Sequence, residues 1–346
     1  MKVAICTPMD LNAPGGVETH INQIAQALRV LGVCVEVFAK IPDRHARSWR
    51  ELQTDQYDII HTHGCLFGFD LFQMTLNRYS RQRHVHTLHG VSVDYLLNCR
   101  AWLNWRCYTS TFFEGVLSRY ADHVICVSNS IQQRARQCFG IAGEKMTVIF
   151  NGHTPAAISA QNRAALRDQW EMTPEMTLGI FVGRAGDPVK GAAAITAAMN
   201  QLYPQHPELR LLAVPGDGFR NSPWLIRSGP IAYEKIPDYY AAADIFINAS
   251  LNEGMPLTVM EAMAAGLPII AAPVGGIPEI ITHNHSGLLL KPDRSDLTMQ
   301  LRKLIEDIPL RRRLGQNAQQ TVQNLTWNHI ARQTMKIYER ILLRGF

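Results

Sequence analysis

Two glutamates, Glu253 and Glu261, have seven residues between them in NEGMPLTVMEAMAAGLP, residues 252–268, a stretch otherwise largely apolar. Pro256 fits the first position of a helix, where its missing N–H costs nothing, and Gly266 fits the stop. The first-turn amides of Leu257 and Thr258 then lack a helical acceptor and can point at an anion, with the helix dipole in support. Glu261 follows Leu257 by four residues and Thr258 by three, so its carboxylate shares their face one turn deeper. Glu253 stands in the loop before the helix. The resulting order is carboxylate, anion site, carboxylate, which is the order of sugar hydroxyls, diphosphate and ribose diol in a nucleotide sugar. A carboxylate accepts two hydrogen bonds from a vicinal diol, which suits Glu261 to a ribose and Glu253 to a sugar. A solvated helix residue and a loop charge is the plainer account of each glutamate taken alone.

The stretch VGRAGDPVKG offers Arg184 as a planar fork and Lys190 as a point charge, a pair able to hold a diphosphate and to stabilise charge on a departing nucleoside diphosphate. Exposed surface cations are the ordinary alternative. In PGGVE, Gly15 and Gly16 let backbone approach a phosphate, although a plain tight turn explains them equally well and the dinucleotide pattern GxGxxG is absent. His61 and His63 share a strand face, and His86 and His89 end the next apolar run, so a metal site is conceivable. A polar lining ranks ahead of it, because no carboxylate stands at ligand-like spacing; His89, beside Gly90, is the one expected to line a cleft. No DxD occurs to hold a metal against a diphosphate, so no metal is expected and Arg184 and Lys190 serve instead.

The elements that must position these loops alternate. Strand-like KVAICTP, a glycine loop, helical VETHINQIAQALRVLG and strand-like CVEVFAK open the chain, and YDIIHTH, HVHTLHG, DHVICVS and MTVIF follow at crossover spacing. A similar series restarts at LGIFVGR and runs through LRLLAVPG, DIFINAS and PIIAAP. Alternation predicts two parallel α/β sheets with ligands at the carboxyl ends of their strands, in the cleft between two domains. The hinge is expected near Asn151 to Ser159, and NHIARQTMKIYERILL reads as a closing helix.

With 346 residues, 47% of them hydrophobic and 18% charged, the chain can bury large cores. A net charge of +5 is only mildly basic and suits a polyanionic small ligand, an anionic membrane face or nucleic acid alike, so charge alone decides nothing; no nucleic-acid partner is expected. The N-terminus reads as a strand rather than a secretory signal, and no apolar run is long enough to span a bilayer, so a cytoplasmic protein is expected. Seven cysteines without CxxC spacing read as reduced thiols.

The run YYAAADIFINASLNEGMPLTVMEAMAAGLPIIAAPVGGIPEII strongly resembles the donor-binding signature of retaining glycosyltransferases of family GT4. PGGVE, HTLHG, VICVSNS, VIFNG, VGR…KG and PGDG support it in order, so the resemblance covers essentially the whole chain. It implies the GT-B fold: two Rossmann-like β/α/β domains facing each other across a cleft. The acceptor domain is expected at residues 1–154 and the nucleotide-sugar domain at 155–327, with the helix 328–346 packing back on the first.

Carried over, the resemblance implies that Glu253 contacts the transferred sugar and Glu261 the ribose, that Arg184 and Lys190 hold the diphosphate, and that His89 is an active-site histidine near acceptor and sugar. Gly254, Met255, Leu257 and Thr258 meet sugar and phosphate through their backbone, Gly16 approaches the phosphate, and Gly216 and Ala232 flank the base. Pro256 stands where many relatives have Gly, and His153 follows NG where an acid is common; no role is assigned to His153. The implied reaction is metal-independent transfer of a hexose, from UDP-glucose or UDP-N-acetylglucosamine ahead of GDP-mannose, to a hydroxyl of a glycan, glycolipid or small molecule, with retention. The donor is a substrate, and no cofactor is expected. Residues 93–113, which mix aromatics with Arg100 and Arg106, suit either peripheral membrane contact or a core helix. The rival readings are a nucleotide-sugar epimerase or phosphorylase of the same fold, a non-catalytic nucleotide-sugar sensor, and a metal hydrolase built on the histidines.

Overall fold

The computed structural model describes residues 1–12, 15–64, 82–91, 93, 105–155 and 160–343, the side chains of 105–110 and 160 excepted. Most of the 93–113 segment, the end of the hinge stretch (156–159) and Pro14 of the glycine loop lie outside the described residues. The chain divides into two compact units, one formed by Met1–Gly152 with the chain from Leu325 onward, the other by His153–Asn324.

The first unit holds strands β1 (Lys2–Asp10), β2 (Cys34–Ile41), β3 (Arg47–Ser48), β4 (Ile59–His63), β5 (Arg83–Leu88), β6 (His123–Cys126) and β7 (Met146–Val148). They form one parallel sheet in the order β3-β2-β1-β4-β5-β6-β7. Every residue of β4 is buried, as expected of a central strand covered on both faces. Helix α1 (Gly16–Val30) turns His20, Ile21, Ile24, Ala25, Ala27 and Leu28 inward, and Gly32 beyond its end takes φ +83°. Helix α2 spans Trp105–Tyr120. In α3 (Asn129–Phe139) the Ser128 hydroxyl caps the N-terminus by accepting from Ile131 N, and Gly140 closes the other end in the left-handed region.

The second unit begins with helix α4 (Ala160–Gln169) and carries β8 (Thr177–Val182), α5 (Ala192–Leu202), β9 (Leu209–Val214), β10 (Leu225–Arg227), α6 (Ile236–Ala242), β11 (Ile245–Asn248), α7 (Leu257–Ala264), β12 (Ile269–Ala271), α8 (Ile277–Ile280), β13 (Leu288–Leu289), α9 (Leu297–Glu306) and α10 (Ile308–Val322). Its parallel sheet runs β10-β9-β8-β11-β12-β13. Phe181, Ile195, Leu211, Trp224, Ile247 and Leu301 are among the side chains of its core. Asp244 fixes how β8 and β11 start: it accepts from Leu178 N at 2.8 Å and pairs with Arg163 and Arg167 of α4 at 2.7 and 3.0 Å. The last helix, α11 (Trp327–Leu343), belongs to the first unit and packs on α1.

Both sheets reverse strand order beside their first strand, between β1 and β4 and between β8 and β11. Loops leaving the carboxyl ends of strands at such a point diverge and leave a crevice for ligand. Among the described residues no helix is long and apolar enough to cross a membrane.

Candidate functional site

In the second unit the loops after β8 and β11 flank the reversal. Lys190, in the first, pairs with Glu253, in the second, at 2.9 Å, with side chains only 28% and 11% exposed. Ser250 donates to the same carboxylate oxygen at 2.7 Å. Removing either charge would strand the other where water reaches it poorly. Arg184 is exposed at the mouth of the first loop, and its carbonyl accepts from Asp187 N at 3.0 Å. An ammonium has three donors, so Lys190 can hold Glu253 and a phosphate oxygen together.

The second loop is fixed from three sides. Leu251 N donates to Val189 O at 2.7 Å, Gly276 N donates to Gly254 O at 2.6 Å, and the Arg294 guanidinium holds Ala249 O and Ser250 O at 2.9 and 3.0 Å. At Gly275, which takes φ +56°, a Cβ would sit 1.9 Å from Glu253 O. Only glycine lets the two loops approach so closely.

The structure corrects one local expectation. Pro256 is the N-cap of α7, with φ −72° and ψ 121°, rather than its first helical residue. An extended ψ at 256 makes Leu257 the first helical residue, and the earliest intrahelical bond is Met260 N donating to Pro256 O at 3.3 Å. The amides of Leu257 and Thr258 still precede that bond. Leu257 and Met255 are buried and Thr258 half-buried, which leaves backbone as the part that can meet a ligand.

One turn into α7, Glu261 accepts from the Tyr233 hydroxyl at 2.9 Å and from the Tyr240 hydroxyl at 3.1 Å, one on each oxygen. Burial raises the carboxyl above its ordinary range, and the two phenols, which favour the ionised form, offset part of that rise. Ala232, exposed, precedes the turn that carries Tyr233. Gly216 takes φ +95° and is buried beside Arg227, whose Nε donates to Gly216 O at 3.1 Å.

In the first unit the reversal is lined by imidazoles. His61 meets the Tyr338 hydroxyl through Nδ1 and Thr87 Oγ1 through Nε2, at 2.5 and 2.7 Å. His63 Nδ1 lies 3.0 Å from His89 Nε2, and His20 Nδ1 lies 2.8 Å from Asn151 Oδ1. His86 departs from the grouping with His89: in register it lies beside Thr62, on the other face of the sheet, and bonds Thr62 Oγ1 at 2.8 Å. Burial lowers the basicity of all five, His20 to about 4 and His86 to about 3, so each ring is neutral at pH 7. Gly15 is the N-cap of α1 and Gly16 its first residue, with open space where a Cβ would stand on Gly16.

The sequence reading thus named both glutamates, the two cations and His89. It missed Tyr233, Tyr240, Ser250 and Arg294, whose partners lie 3 to 45 residues away. It missed His20 as well, although His20 falls on the apolar stripe of α1, and a polar residue there is a readable signal.

Residues 39–156 match the family described as Glycosyltransferase Family 4, and residues 225–321 match Glycosyl transferases group 1. The D-inositol 3-phosphate glycosyltransferase of Stackebrandtia nassauensis is 26% identical over 303 residues, 82% of this chain and 68% of that one. Among solved structures, sucrose-phosphate synthase from Thermosynechococcus elongatus superposes with a TM-score of 0.84 at 23% identity, over 99% of this chain and 100% of the other. The Anabaena protein HepE in complex with UDP-glucose gives 0.79 at 21% identity, over 98% and 100%.

Proposed function

The chain is a glycosyltransferase of family GT4 with the GT-B fold, and on that premise we propose that it moves a hexose from a UDP-sugar to an acceptor hydroxyl with retention at the anomeric carbon. The observation that carries the reading is the arrangement around α7: Glu253 tied to Lys190 ahead of its N-terminus, free first-turn amides, and Glu261 on its inner side. Glu261 accepts the ribose hydroxyls, Arg184 and Lys190 hold the diphosphate with the amides of Leu257 and Thr258, and Glu253 accepts from the sugar. Gly254 and Met255 meet the sugar through their backbone, Gly15 and Gly16 approach the phosphate, Gly216 and Ala232 border the base, and His89 stands on the acceptor side. The choice of uridine is supported by the UDP-glucose complex of HepE.

Retention fits a front-face route. The bond from anomeric carbon to diphosphate oxygen breaks, the acceptor oxygen bonds on the same face, and the acceptor proton passes to the departing phosphate oxygen. Glu253, held by Lys190 and Ser250, is a hydrogen-bond acceptor rather than a free nucleophile, which supports that route over a double displacement. Lys190, held by Glu253, and Arg184 take the place of a divalent ion at the diphosphate, so transfer is metal-independent there. The protein acts in glycan or glycolipid synthesis in the cytoplasm, and residues 93–113 serve either as a peripheral membrane contact or as a core helix.

A thermal-shift panel of nucleoside diphosphates and their sugars tests the donor, because a ligand that binds only the folded chain raises its stability. The largest shift is expected with UDP and a UDP-hexose. Equal shifts with and without the base, or an inverted anomer in the product by NMR, would overturn the reading. Formation of an epimer from donor alone would favour the epimerase instead.

A further inference from the structure

His20 on α1, His63 at the end of β4 and His89 just after β5 each offer a ring nitrogen, and the three atoms lie within 4.8 Å of one another. We propose that these three histidines form a binding site for a divalent zinc-type cation in the first unit. The sequence reading placed a polar lining ahead of a metal here; His20, invisible to it, changes the balance by supplying a third imidazole from a separate element.

Two features support the site. His20 donates from Nδ1 to Asn151 Oδ1 at 2.8 Å, which leaves its Nε2 lone pair free, the ring-orienting contact that metal-bound histidines make. His63 Nδ1 and His89 Nε2 stand 3.0 Å apart, near the separation of roughly 3.3 Å between two nitrogens that share a tetrahedral zinc at 2.0–2.1 Å.

The donor set selects the ion. Three imidazoles with no carboxylate suit zinc and its first-row neighbours cobalt and nickel, and suit magnesium or calcium poorly. A three-ligand site keeps a fourth position open, on the side where His89 is half-exposed and His20 and His63 are not. The site uses none of Arg184, Lys190, Glu253 or Glu261 and shares His89 with the acceptor side proposed above; its test needs neither donor nor acceptor, so failure of the metal site and failure of the transfer reading are distinguishable.

Chelator-treated full-length protein is titrated with Co2+ and Zn2+, followed by d–d absorption, metal analysis and X-ray absorption of the zinc-loaded chain. One equivalent per chain is expected, with imidazole nitrogens at about 2.0–2.1 Å. His89→Asn, in a loop, should lose the equivalent while keeping the wild-type circular dichroism, and Asn151→Ala should weaken binding about 10–100-fold. His45→Asn, at an exposed position, should bind as wild type does. No bound equivalent in the wild type, an oxygen-only shell, or unchanged binding in His89→Asn would each overturn the proposal.

Discussion

The two units reverse their strand order at equivalent places and furnish the crevice there in opposite ways. The second unit sets charges at its strand ends, Lys190 against Glu253, with Glu261 held by two phenols. The first sets neutral rings, with His61, His63 and His89 beside His20. Burial drives both choices. A carboxylate and an ammonium persist in a poorly hydrated site because each is paired, whereas clustered imidazoles persist by giving up their protons. A polyanionic donor calls for fixed charge, and an acceptor hydroxyl calls for neutral hydrogen-bonding partners. The difference between the units therefore parallels the difference between the two substrates proposed for them.

The contrast breaks most visibly in acid. His20, His61, His63, His84, His86 and His89 titrate below the ordinary 6.5 in the folded chain. The folded state then binds fewer protons than the unfolded one, so the stability they permit is full above about pH 6.5 and is lost as pH falls below it. Each ring contributes a slope of up to about 1.4 kcal/mol per pH unit, and six together can take most of a domain's stability by pH 5. Glu261 has the opposite sign: its raised value means extra proton uptake on folding, and its contribution fades as pH rises through that value. Hydrogen exchange followed by mass spectrometry at pH 7.5 and 5.5 should show the first unit opening and the second little changed. Parallel loss of protection in both units would show that the histidines are not what distinguishes them.

The next effect sharpens the charged half. Lys190→Met removes the cation proposed to hold the diphosphate and leaves Glu253, 11% exposed, without its ion pair. A fall in kcat/KM of about a thousandfold is expected, near 4 kcal/mol, the scale of losing one fixed transition-state donor. Steady-state rates with the preferred UDP-sugar measure it; a change below tenfold would mean that Lys190 is only a surface cation.

Gly275→Ala and Gly16→Ala form a matched pair, one from each unit. The first needs a left-handed alanine and drives a Cβ to 1.9 Å from Glu253 O, so the loop that carries Glu253 must move. Strain of about 1–2 kcal/mol from the backbone alone is expected, with lower Tm and weaker donor binding. The second meets nothing within 4 Å and should leave Tm unchanged or slightly raised. Differential scanning fluorimetry of the two variants compares them directly.

What the sequence made legible follows from what a local pattern can encode. Alternating apolar runs predicted β1, β2, β4–β9, β11 and β12, because buried parallel strands are continuous apolar segments. The edge strands β3 and β13 have two residues each, too few to carry a period, and β10 has three of which none is buried, whereas the equally short β7 and β12 contain buried apolar residues. Glu253 and Glu261 were readable because one loop and one helix set their relation. The Lys190–Glu253 pair spans 63 residues and depends on how β8 and β11 sit side by side, and Tyr233 reaches Glu261 across 28, which depends on how α6 and the turn before it pack beside α7. Pro256 was misplaced by one position because proline's fixed φ suits an N-cap as well as a first helical residue, and only ψ tells them apart.

The smallest effect tests whether the second unit's charge is tuned as well as present. Tyr233→Phe keeps the ring and removes one of the two hydroxyls that donate to Glu261, leaving Tyr240 on the other oxygen. Both phenols favour the ionised carboxylate against the burial that opposes it, so losing one moves the titration further up. In the proposed role, Glu261 must be ionised to accept from the ribose diol of the donor. Donor binding is then complete above the raised value and lost as pH falls through it. The acid limb of UDP affinity, measured by calorimetry from pH 8 to 5, should therefore shift to higher pH in Tyr233→Phe. At pH 8 the loss should be no more than about 1 kcal/mol, or roughly fivefold, the net worth of one hydrogen bond. Glu261→Gln should remove the acid limb and weaken UDP at every pH. If Tyr233→Phe lowers affinity equally across the range, Tyr233 meets the nucleotide itself, and the phenol is a ligand contact rather than the group that keeps Glu261 charged.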